Sequence, residues 1–229
     1  MVDAVLIELL DRVLYRHPFE GASARRYAAA ERPAFGDLDD RLLDAMGLDA
    51  VGLDAMGDRP ARLLDVGSGP GTFAARARAR FPKLHVIALE PSHAFARQPS
   101  HGLAPTVRAT GEAIPLRDGC IDIAICLSSI RHVRDRGRVL RELRRVSARL
   151  WIVELDPRAS AQRIANHADH IANGVSWPTG SVLRRAFGPL VVKTAPAAEA
   201  IVDLARDAGW RLDVHRDDPV QPVYILELS

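Results

Sequence analysis

The stretch Leu63-Leu64-Asp65-Val66-Gly67-Ser68-Gly69-Pro70-Gly71 constrains the fold more than any other part of the chain. An apolar run that ends in an acid and opens into three closely spaced glycines reads as a buried strand turning sharply into a helix. Glycine suits such a turn because it reaches backbone conformations closed to other residues and lets a ligand approach with no Cβ in the way. A second apolar run, Leu84 to Leu89, predicts another strand with Glu90 at its carboxyl end. Ligands of open parallel sheets bind at that edge, where a carboxylate can accept both hydroxyls of a ribose. A nucleoside-containing cofactor is the expectation.

The glycine spacing narrows the choice. A dinucleotide fingerprint, G-x-G-x-x-G, would have its third glycine where this chain has Thr72; the pattern here is G-x-G-x-G. With this loop, Glu90, the segment Thr110-Gly111-Glu112-Ala113-Ile114-Pro115 and the segment Cys126 to Val133 in register, the chain resembles class I S-adenosylmethionine-dependent methyltransferases. It is most similar to their small-molecule, ubiquinone/menaquinone-type branch, over about Leu63 to Pro157. The resemblance implies S-adenosyl-L-methionine as cofactor and S-adenosyl-L-homocysteine as product. It also implies a Rossmann-like, doubly wound α/β fold: a mostly parallel seven-stranded sheet with an antiparallel edge hairpin, N-terminal helices, and a helical insertion acting as a lid.

The same resemblance assigns roles. The amides around Gly67, Ser68, Gly69 and Gly71 pass beneath the amino-acid end of the cofactor, and Asp65 engages its ammonium group. Glu90 takes the ribose hydroxyls, while Pro91, Ser92 and Leu127 border the cofactor. Glu112 accepts from the adenine amino group, flanked by Gly111 and Ala113; Asp is commoner there, so the reach is slightly longer. At the end of strand four the family often carries paired histidines. His132 takes the second position and Arg131 replaces the first. A histidine beside the methyl group can remove a proton from the attacking acceptor; the alternative is that His132 shapes the wall or caps the next helix. Arg131 can pair with an acidic substrate group or form a salt bridge to the fold. The turn before strand five, Arg145 to Trp151, lacks the family's Pro-Gly-Gly pattern, a change remote from the cofactor.

At 229 residues the chain suits one α/β domain with a small embellishment. A net charge of +2 is too small to imply nucleic-acid binding, and the Arg76/Arg78/Arg80 and Arg141/Arg144/Arg145 clusters read as solvated helix faces. No Asn/Asp-Pro-Pro-aromatic motif follows strand four. The expected acceptor is therefore a small molecule; a nucleic-acid methyltransferase and a non-catalytic cofactor-binding protein are the alternatives. Cys120 and Cys126 fit neither a metal nor a redox spacing. His167 and His170, three apart, suit structural or substrate-facing roles better than a metal site, and no metal is expected. Asp3, Glu8 and Asp11 interrupt the first apolar pattern, and no run is long enough to span a bilayer. A cytoplasmic monomer or homodimer is expected.

Helical stripes predict helices over Val2–Tyr15, Ala22–Ala30 and about Leu38–Met46, with Tyr15 and Tyr27 as packing residues. A five-residue unit, Leu-Asp-Ala-Met/Val-Gly, then repeats three times over 43–57 and reads as a linker. This divides the chain into a helical cap and linker, 1–57, and a cofactor-binding core, 58–229, with a helical insertion at 158–190 that contains His167, His170, Trp177 and Arg184. Strands are predicted at 62–66, 84–89, 105–109, 121–127, 149–155, 211–216 and 222–228, and helices at 71–80, 92–97, 135–147 and 196–208.

Overall fold

A computed structural model describes residues 37–48, 60–98, 104–173, 185 and 187–229, the side chains of 170–173 excepted. The helices predicted over 2–15 and 22–30, most of the pentapeptide repeat, Trp177, Arg184 and the His170 side chain lie outside the described residues.

Three strands occupy the middle of the sheet, and their sequences are nearly continuous apolar runs because both faces are covered. These are β1 (Arg62–Val66), β4 (Ile121–Leu127) and β5 (Ser147–Leu155). With β2 (His85–Leu89), β3 (Thr106–Val107), β6 (Leu212–Asp217) and β7 (Val223–Leu228) they form one seven-stranded sheet in the order β3-β2-β1-β4-β5-β7-β6. β7 runs antiparallel to both β5 and β6, and every other pair is parallel. The strand order reverses between β1 and β4, where Leu63 pairs with Val86 on one side and Ile123 on the other. In a doubly wound sheet that reversal opens a crevice beyond the strand ends.

Helices cover both faces. On one lie α1 (Leu38–Ala45) and α2 (Thr72–Arg80), whose Leu38, Leu42, Phe73 and Ala77 join Leu63, Ile123 and Trp151 in one core. The segment from α1 thus packs directly on the sheet. On the other face, α4 (Arg136–Val146) and α6 (Ala198–Asp207) bring Val139, Leu143 and Ile201 against Leu64, Ile152 and Leu226. A one-turn α3 (His93–Ala96) follows β2, its start capped by Ser92 Oγ, which accepts from Phe95 N at 3.1 Å.

After β5 comes α5 (Ala161–Asn173), then a widened, π-type helical turn over Phe187–Val192. Pro189 lacks an amide hydrogen, and the turn closes by a long-step bond from Lys193 N to Gly188 O at 2.9 Å. The β6–β7 turn is the anchor for both outer helices. Arg41 of α1 donates to both carboxylate oxygens of Asp218, at 3.0 and 2.8 Å, and Arg163 of α5 donates to Asp218 O at 2.6 Å. No helix among the described residues is long and apolar enough to cross a membrane.

Candidate active site

The β1–α2 loop takes its shape from three glycines in the left-handed region: Gly67 (φ 68°), Gly69 (φ 57°) and Gly71 (φ 82°). Side chains rarely adopt that region. The loop folds over the end of β2, where Gly67 N and Ser68 N both donate to Leu89 O, at 2.8 and 3.1 Å. Two different constraints act on the glycines. A Cβ on Gly67 would lie 2.6 Å from Ser129 Cβ, so the loop after β4 seals against it, whereas a Cβ on Gly69 would project into open space.

Glu90 is buried and holds the loop from the β2 side. Its Oε2 accepts Gly69 N at 2.7 Å and its Oε1 accepts Ser92 N at 2.8 Å. Asp65 is buried inside β1, level with Ala88 and Ile125. The structure therefore gathers Asp65, Gly67, Ser68, Gly69, Gly71, Glu90, Pro91 and Ser92 at the carboxyl ends of β1 and β2.

A second group assembles beside β4. Gly111 is buried and presses on α4, where a Cβ would lie 3.2 Å from both Val139 methyls. Glu112 Oε1 accepts Arg134 N at 3.0 Å, joining the β3–β4 loop to the segment after β4; Ala113 beside it is exposed. That loop is organised from below by Arg145. Its guanidinium donates to Ile114 O and Leu116 O, both at 2.8 Å, and to Glu142 and Asp118.

Leu127 ends β4 opposite Val153. A single 3₁₀ turn, Ile130–His132, follows, with the half-buried His132 as its last residue. Arg131 is buried. Its guanidinium makes contacts within the fold: Nη1 donates to Val191 O at 3.0 Å and Nη2 lies 3.5 Å from Thr194 Oγ1. Its backbone amide donates to Glu154 Oε2 at 3.2 Å. Glu154 is fully buried; burial pushes its carboxyl above the usual range, opposed by the Arg131 charge. His167 Nδ1 lies 2.7 Å from Gln221 Oε1, and its ring sits 5.1 Å from that of Phe187. Among the described residues no group of three or more His, Cys, Asp or Glu is placed to hold a metal ion.

Two residues stand out that sequence reasoning left without a role. Ser128, directly after β4, takes a left-handed conformation at φ 52°, strain of a kind that concentrates at functional sites. Its Oγ is buried and finds no hydrogen-bond partner among the described residues, and the same holds for Ser68 Oγ at the end of β1. Ser129 Oγ donates to Val66 O at 2.6 Å and locks the two loops together. Sequence gives no signal for Ser128, since nothing but the backbone angle marks it.

A family profile described as "Methyltransferase domain" matches residues 64–149, from within β1 to within β5. The chain is 32% identical over 145 residues to the malonyl-[acyl-carrier protein] O-methyltransferase of Geobacter sulfurreducens, covering 61% of this chain and 51% of the relative. It is 25% identical over 168 residues to the ubiquinone/menaquinone biosynthesis C-methyltransferase of Syntrophotalea carbinolica, covering 68% and 71%. The chain spans about half the length of the first of these relatives. The crystal structure of a SAM-dependent methyltransferase from Aquifex aeolicus shares the fold with a TM-score of 0.64 at 16% identity, over 92% of this chain and 98% of that one. The sheet order, the glycine loop at its switch point and these similarities together support a class I S-adenosylmethionine-dependent methyltransferase domain over the matched residues 64–149.

Proposed function

We propose that this chain binds S-adenosylmethionine across the carboxyl ends of β1, β2 and β4 and methylates oxygen, nitrogen or carbon of a small molecule. The observation that carries the reading is the glycine loop itself: its Gly69 Cβ position is open, and its Gly69 amide is fixed by the buried Glu90 carboxylate. The buried hydroxyls of Ser68 and Ser128, without a hydrogen-bond partner among the described residues, fit a ligand rich in polar groups.

When bound, the cofactor supplies an electrophilic methyl group on a sulfonium. The chain's own residues bind, orient and move a proton. Asp65 takes the ammonium end of the cofactor, and Glu90, whose carboxylate is placed by the Gly69 and Ser92 amides, takes the ribose hydroxyls. Glu112 and the Gly111–Ala113 backbone form the adenine side. His132 takes the proton lost by a hydroxyl or amine acceptor as it is alkylated. Helix α5 and the turn at 187–192 help to exclude water from the acceptor.

The test is thermal melting with S-adenosylhomocysteine. Ligand at a hundred times Kd stabilises by about 2.7 kcal/mol, which corresponds to roughly 5–10 °C in Tm for a domain of this size. A rise with NADH and none with S-adenosylhomocysteine sinks the proposal. The relative named for a malonyl acceptor makes a carboxylate the first acceptor class to assay, followed by phenols, amines and electron-rich rings.

A further inference from the structure

The turn that carries His132 cannot hold itself. It is three residues long with one internal bond, His132 N to Ser129 O at 3.0 Å, and so short a 3₁₀ turn takes its position from its surroundings. Among the described residues, other ties come from three directions. The buried Glu154 carboxylate receives Arg131 N from inside the sheet. Arg136, on the following helix, donates to Ile130 O and Arg131 O, both at 3.2 Å. The third tie is the Arg131 guanidinium, and of these it alone reaches the segment that follows β5, through Val191 O and Thr194 Oγ1.

Val191 lies in the widened turn at 187–192, and that turn packs on α5. A Cβ at Gly188 would come within 3.1 Å of Ile164 Cγ2, and the Phe187 ring lies against His167. A shift of α5 therefore reaches the Val191 carbonyl through close-packed atoms. It continues into a planar, two-pronged guanidinium rather than a flexible contact. The next residue along the backbone is His132.

We propose that Arg131 is a positioning residue, a buried strut through which the 187–192 turn and the helix packed on it set the orientation of the His132 imidazole. The idea rests on the reading of His132 as the acceptor's base, but its test needs neither acceptor nor turnover. Arg131 touches neither the acceptor nor the reacting atoms in this scheme. It makes the histidine responsive to what the helical segment contacts.

The experiment follows the histidine signals of the full chain by NMR with ¹³Cε1-labelled histidine, the His132 signal being assigned by its loss in His132→Gln. Gly188→Ala delivers a small push at the widened turn and is made alone and together with Arg131→Lys, which keeps the charge and loses the fork. The His167 signal, next to Phe187, should move in both backgrounds and report that the push has arrived. The His132 signal should move in the otherwise native background and lose that response with Arg131→Lys, a coupling read as a double-mutant cycle. Thr194→Val, which leaves Arg131 in place without one of its acceptors, should give a partial loss, and it stands in if Arg131→Lys does not fold. A His132 response of equal size with and without the strut, or no response while His167 moves, overturns the proposal. Failure of the native chain to bind S-adenosylhomocysteine is a separate result, and it counts against the methyl-transfer reading.

Discussion

Glu90 Oε2 and the Gly69 amide, 2.7 Å apart, tie the end of β2 to the middle of the glycine loop, while Glu90 Oε1 takes the Ser92 amide. One buried carboxylate thus fixes two backbone amides at once. In Glu90→Gln one of those amides meets an NH₂ group instead of an oxygen. Hydrogen bonds to a charged group contribute about 1.5–3 kcal/mol, so affinity for S-adenosylhomocysteine should fall roughly 10- to 100-fold. Calorimetric titration checks this; unchanged affinity would remove Glu90 from the site.

Gly67 and Gly69 should respond differently to alanine. At Gly67 the new Cβ meets Ser129 in a left-handed backbone, so the variant should lose about 1–3 kcal/mol of stability. At Gly69 the backbone strain is similar but the Cβ has room, and it occupies the space proposed for the ligand. Gly69→Ala should therefore keep more of its Tm than Gly67→Ala and lose binding more completely relative to its stability. Melting curves and titrations of both variants decide it, and wild-type affinity in Gly69→Ala would contradict the proposed placement.

The loop bearing Glu112 should loosen in acid. The Arg145 hydrogen bond holds the Glu142 carboxyl below its usual 4.5, with Ile114 N helping at 3.0 Å. A carboxyl lowered on folding stabilises the fold above its unfolded value. That contribution is lost as pH falls from about 4.5 through the lower folded value. In Glu142→Gln the pH dependence of stability should flatten over that window. Denaturant melts between pH 3 and 7 measure it; an unchanged slope would show that Glu142 is not tied to the loop.

The two cysteines should separate in reactivity. Burial in β4 pushes the Cys126 thiol up to about 12, with the nearby Asp65 and Glu154 charges adding to it against a Ser129 hydrogen bond, whereas Cys120 is half-buried at the strand's start. A thiol reagent at pH 8 should modify one cysteine in the native protein and both after denaturation. Two fast native thiols would contradict the packing of β4.

Much of the sheet was legible because its strands are apolar runs bounded by glycine, proline or charge: β1 and β4 begin and end where predicted. Departures have local causes. β5 starts at Ser147 because that residue both closes α4, its Oγ donating to Leu143 O at 2.7 Å, and opens the strand. β3 shrinks to Thr106–Val107 because it is an edge strand with a single neighbour. The helical turn at 187–192 runs slightly past the predicted insertion at 158–190, because packing on α5 supports a widened helix around Pro189. Around the candidate site, the glycine loop and Glu90 are legible from spacing, while the other residues come from the resemblance alone. The partner of Arg131 is legible from neither, because a guanidinium that reaches a carbonyl sixty residues away leaves no periodic trace.

Both ends of the segment 157–196 are fastened to the same short stretch at the start of β7, Pro222 to Tyr224. Asp156 N donates to Pro222 O at 2.8 Å where the segment departs, and Tyr224 OH donates to Pro196 O at 3.1 Å where it returns. Exit and re-entry therefore sit side by side, and lengthening the excursion between them costs only about 0.6 kcal/mol for each doubling. The two ends are held by the sheet itself, so the length of the excursion can change while β5 and β7 keep their register.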